Sequence, residues 1–80
     1  MKKGFEVEWI VDIPYNKEME THIFDAADTR CQDFAKLDDA LAFGKTKIAA
    51  DWFGAPQVRE FVLDEWRQKD YVGDVIEVFA

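Results

Sequence analysis

Serine is missing from the 80-residue chain, and cysteine and histidine occur once each, as Cys31 and His22. Without serine, a nucleophile of the Ser–His type has no starting point, and Thr21, Thr29 and Thr46 sit in no recognisable catalytic pattern. One cysteine cannot close an intrachain disulfide, which suits a reducing compartment; the Arg30 beside it is expected to lower its pKa modestly, and Cys31 is read as a small strand residue. A metal centre needs converging ligands, and neither H-x-x-x-H nor C-x-x-C occurs; Asp25, Asp28 and Asp33 are wrongly spaced for a calcium loop, and His22 is read as structural. The four glycines are scattered at positions 4, 44, 54 and 73, so no phosphate-cradling loop can be written. Asp38 and Asp39 diverge around a helix, and Asp64 and Glu65 alternate along a strand, so neither pair forms a carboxylate dyad. The expected reading is no enzyme, no catalytic residue, no cofactor and no metal.

Basic residues are also scarce, 10 against 17 acidic, giving a formal net charge of −7. Affinity for nucleic acid comes from Lys and Arg displacing counterions, so direct binding of DNA or RNA is not expected. No apolar run approaches the roughly 20 residues that span a bilayer. Glu6, Glu8 and Asp12 follow too soon after Lys2 and Lys3 for a signal peptide, so no membrane contact and a cytoplasmic location are expected.

What is plentiful is apolar and aromatic: 49% hydrophobic residues and 15% aromatics, enough for one core and too much for disorder. A single domain over 1–80 is predicted. Phe5, Val7, Trp9, Val11 and Ile13 alternate with Glu6, Glu8, Ile10 and Asp12, the period of a half-buried strand that Pro14 ends. Residues 15–18 read as a polar connection and residues 19–24 as its antiparallel return, forming a hairpin; residues 29–34 read as a short third strand. From Leu37 to about Phe53 the period changes to that of a helix, with Leu37, Ala40, Leu41, Gly44, Ile48 and Trp52 on one stripe and Phe43 off it. Gly54 and Pro56 supply the stop, and Gly44 is read as a close approach of helix to sheet. Residues 58–66 and 72–79 are two further strands joined by 67–70. The predicted fold is α+β, ββ(β)αββ, an antiparallel sheet of four or five strands with one helix across one face. Its uncovered face is expected to present Phe24, Phe61, Val75 or Phe79, a surface for a second copy or another protein.

The acidic side chains are the remaining signal. Glu6, Glu8 and Asp12 are expected on one face of the first strand, Asp64 follows on a later strand, and Asp70 and Asp74 flank the last hairpin. Tyr15, Trp66 and Tyr71 lie near them, and aromatics ringed by polar groups are what interface hot spots look like. These nine residues are the candidate partner-binding set, directed at the basic surface of a host protein complex. A short, acidic, aromatic-rich domain without catalytic residues resembles the small phage-borne anti-CRISPR proteins. The resemblance covers the whole chain as a general build and carries no residue over by position. It implies a partner, a CRISPR–Cas effector in the host cytoplasm, and an activity, inhibition of its DNA binding or nuclease recruitment. The alternative is a homo-oligomeric interaction or accessory module that pairs through the uncovered sheet face.

Overall fold

The computed structural model describes residues 2–49 and 53–79. The alternating run of the first strand becomes β1, Lys3–Asp12; β2 (Tyr15–Asn16) and β3 (Thr21–His22) form a separate small ribbon, and β4 spans Asp28–Phe34. The helix α1 spans Leu37–Lys45, and β5 (Gln57–Leu63) and β6 (Lys69–Glu77) complete the chain. The main sheet is antiparallel in the order β4-β1-β5-β6. Both neighbours of β1 run against it, so β4 and β5 are parallel to each other and need a crossover connection, which α1 supplies. That connection passes over β1 and lays the helix on Phe5, Val7 and Trp9, the apolar members of its alternation. The architecture is the predicted α+β fold with one helix on one face of a four-stranded sheet.

The core is Val7, Ala40, Val58 and Val78, flanked by Phe5, Trp9, Phe34, Leu37, Leu41 and Phe43. Val7 and Val58 are partners across β1 and β5 and are fully buried. Small residues at Ala40 and Gly44, one turn apart, let the helix approach closely. A Cβ on Gly44 would come within 3.0 Å of Val78 Cγ2, so the close approach is to the segment following β6 rather than to the sheet. That segment is fixed by the Val78 amide donating to the Pro56 carbonyl at 2.8 Å.

Several details depart from the pattern reading. The helix ends at Lys45, not near Phe53: the Thr46 amide and hydroxyl both donate to the Phe43 carbonyl, at 3.0 and 2.6 Å, and Lys47 N–H reaches the Gly44 carbonyl. These tight bonds close the last turn, leaving Ile48 beyond the helix; Ala50 and Trp52 lie outside the described residues. Phe43, predicted off the helical stripe, faces the sheet: its ring meets Trp9 edge-on at 5.4 Å and Phe34 at 5.0 Å. Lys47 Nζ caps this cluster, 5.1 Å from both the Trp9 and Phe43 centroids.

The predicted hairpin of the first strand with 19–24 does not form: the turn falls at residues 17–20 and the returning segment pairs with Tyr15–Asn16 rather than with β1. Asn16 Oδ1 accepts the Met19 amide at 3.0 Å and Glu20 takes a left-handed φ of 53°, so β2 and β3 pair over two residues only. The partner of β1 is instead β4, the short third strand of the pattern reading. The last hairpin is also displaced: its strands end at Leu63 and start at Lys69, and the turn is built on Asp64.

Candidate functional site

The face of the sheet away from the helix is the place where charged side chains converge. In the β1–β5 register Gly4 lies opposite Phe61, Glu6 opposite Arg59 and Glu8 opposite Gln57; on the other side Glu6 meets Asp33. Phe61, opposite the side-chain-less Gly4, is 1% exposed although it lies on the face away from the helix. Lys69, two residues before Tyr71 on β6, closes the cover, its Nζ 4.7 Å from the Phe61 centroid. The ammonium then donates to Glu6 Oε2 and, at 2.6 Å, to Asp33 Oδ1. The Tyr71 hydroxyl donates to Glu6, 3.1 Å from each carboxylate oxygen, and the Arg59 guanidinium lies 5.3 Å from the Tyr71 ring centroid. One lysine thus straddles a phenylalanine and joins β6 to β1 and β4.

The electrostatics follow from this packing. Burial disfavours the Lys69 charge, yet hydrogen bonds to Asp33 and Glu6 and their negative charges outweigh it and raise the lysine pKa well above its ordinary value. Burial raises the Tyr71 pKa, assisted by the Glu6 hydrogen bond and charge. Glu6 itself is 8% exposed. Beside the network lies a cavity of about 110 Å³ lined by Glu6, Glu8, Gln57, Arg59 and Tyr71. Its lining combines carboxylate acceptors, the Gln57 amide, the Arg59 guanidinium and the Tyr71 hydroxyl.

The expected apolar surface on this face is therefore replaced by a polar one. Phe61 is sealed, Phe24 belongs to a short 3-10 turn outside the sheet, and Phe79 and Val75 are exposed at and beyond β6, 66% and 38% respectively. No family model, curated protein or solved structure matches this chain.

The nine candidate residues do not form one site. Glu6, Glu8 and Tyr71 come together on the open face, where Glu6 is occupied by its own lysine and tyrosine. Asp64 and Trp66 share the β5–β6 turn; Asp64 Oδ1 accepts the amides of Trp66 and Gln68, each at 2.9 Å, and Trp66 is 77% exposed. Asp12 and Tyr15 lie at the opposite end of β1, Asp12 facing Asp28 across the strands and the Tyr15 ring edge-on to His22 at 5.0 Å. Asp70 pairs with Val62 on the helix side, and Asp74 sits where β6 bulges around Gly73, whose φ is +75°. Lys69, Asp33, Arg59 and Gln57 were missed. Lys69 and Glu6 are 63 positions apart, and only the strand order brings them together. Among the described residues no group of three or more His, Cys, Asp or Glu is placed to hold a metal ion, and no helix is long and apolar enough to cross a membrane.

Proposed function

We propose that this protein is a stoichiometric inhibitor that lays an acidic surface on the basic, nucleic-acid-holding surface of a host complex, with a CRISPR–Cas effector in the host cytoplasm as its target. One observation carries the reading: among the described residues only Glu6, Asp28 and Asp33 stand in ion pairs. The other carboxylates, Glu8, Asp12, Asp70 and Asp74 among them, are exposed, and their charge is left for a partner to neutralise. Single exposed ion pairs contribute only about 0–1 kcal/mol each, so charge serves encounter and register, while exposed aromatics such as Trp66 and Tyr15 supply contact area. The test is capture by the tagged protein from cells carrying a CRISPR system, at low and high salt. Recovery of the effector at low salt and its loss at high salt agrees with the proposal; no effector at either salt contradicts it.

A second reading, a homo-oligomeric module, is favoured by Val72, Val75 and Ile76 on the edge strand β6, 38%, 38% and 40% exposed. That strand bulges at Gly73, a feature that discourages edge pairing. Light scattering separates the two: a dimer that persists at high salt supports the module, and a monomer excludes it.

A further inference from the structure

We infer that the docking element is the β2–β3 ribbon with its flanks, residues 11–28, an acidic projection with exposed apolar side chains that fits a cationic protein groove. This rests on the preceding reading and names the part of the chain that would carry it.

The fold does not require the ribbon. A chain passing from β1 to its antiparallel neighbour β4 can do so in a turn of about two to five residues. Here everything between Asp12 and Asp28 is diverted into a second small sheet and a 3-10 turn. Among the described residues β2 and β3 pack extensively only on each other. The single deep anchor is Ile13, 3% exposed.

Although it lacks packing, the ribbon is held in shape. The Ile23 amide donates to the Pro14 carbonyl at 2.7 Å, and His22 Nδ1 donates to the Ile13 carbonyl at 3.1 Å. The Asn16 side chain holds the turn, and the Tyr15 ring rests against His22. A shaped projection loses less conformational freedom on docking than a free loop.

Its side chains point to the occupant. Val11, Tyr15, Met19 and Phe24 are 41%, 53%, 66% and 59% exposed, in a stretch where no core needs them. Asp28 is paired with Arg30 at 2.7 Å, but Asp12, Glu18, Glu20 and Asp25 stand against Lys17 alone in residues 11–27, so three of the seven net negative charges sit on about a fifth of the chain. The turn at the other end of β1 offers no such sign, since Lys2 and Arg67 sit beside Asp64 and Glu65. The charge repels nucleic acid, anionic membrane and a second copy of the ribbon alike. What remains complementary is a protein groove lined by Lys and Arg, whose aliphatic stems also cover apolar side chains.

The test uses the full chain, isotopically labelled, titrated with a designed amphipathic lysine–leucine helical peptide, and a panel of purified CRISPR effectors. Amide shifts clustered at residues 11–28 are expected with the peptide. Effector binding should weaken at least tenfold in Glu18→Lys/Asp25→Lys and in Met19→Ser/Phe24→Ser, all exposed positions, with circular dichroism confirming the fold. It should change less than threefold in Glu60→Lys/Glu77→Lys, which alters net charge equally. Peptide shifts elsewhere or nowhere overturn the inference, as does an effector bound equally well by the ribbon variants. Peptide shifts on the ribbon with no effector bound leave the ribbon standing and overturn the target class.

Discussion

Removing the charge of Glu6 and removing the charge of Lys69 should differ in cost, and the difference measures how the open face is held. Glu6→Gln keeps the shape and leaves Lys69 with Asp33 at 2.6 Å and with solvent, since the lysine side chain is 25% exposed. The loss is one charge-assisted hydrogen bond, about 1–2 kcal/mol. Lys69→Met instead strands a carboxylate whose side chain is 10% exposed, with Tyr71 as its remaining donor. Breaking a fully buried pair costs about 3–5 kcal/mol; the exposure of the lysine reduces this to roughly 2–4. For a domain of this size each kcal/mol moves the midpoint of thermal unfolding by about 4–8 °C. Glu6→Gln should therefore melt about 4–16 °C lower and Lys69→Met lower still, by circular dichroism at pH 7. The double variant should cost less than the sum of the singles, because removing Glu6 removes the stranded charge. Equal, small losses within 2 °C of the parent, adding without coupling, would refute the idea that Lys69 clamps the face.

The same network predicts an alkaline limit. Lys69 and Tyr71 both have folded-state pKa values raised above their unfolded ones, near 10.4 and 10 respectively. Their contribution is full below those values and declines as pH rises through the raised ones; the stability gap between parent and Lys69→Met, read from urea melts, should shrink above about pH 10 and stay constant from pH 7 to 9. At Gly44 the roughly 1 kcal/mol that Ala gains in a helix competes with a Cβ 3.0 Å from the buried Val78. Gly44→Ala should lose about 1 kcal/mol net in the parent and gain stability in a Val78→Ala background, checked by the same melts. Gly73 has open space around it but a φ of +75°, so Gly73→Ala should cost about 1–2 kcal/mol by backbone strain alone, with the spectrum of the folded state unchanged.

The parts of the fold that could be read from the sequence are those buried on one side. The alternation in β1 was legible because Phe5, Val7 and Trp9 all meet the helix; the helix start was legible from its stripe and from Asp38 and Asp39 in the first turn. Strand β4 was faint because Asp28 to Asp33 are all exposed at the sheet edge, which leaves no apolar period. The ribbon was misread because its apolar residues imitate a buried return strand while facing solvent. Phe43 was misplaced because the helix lies beneath a cluster reaching from β4 to Val78, which widens its buried arc beyond one stripe. Of the site, Glu6 and Tyr71 were named for the wrong company. Their partner Lys69 lies two strands from Glu6, a relation set by the strand order and not by any local pattern.

The most direct test of the proposed inhibition is an electrophoretic mobility assay of a purified CRISPR effector with its target DNA, titrated with this protein at low and high salt. DNA binding should be lost near a one-to-one ratio at low salt and restored as salt screens the docking. DNA binding and cleavage both unchanged at a tenfold excess, for every effector class tried, would contradict that inhibition.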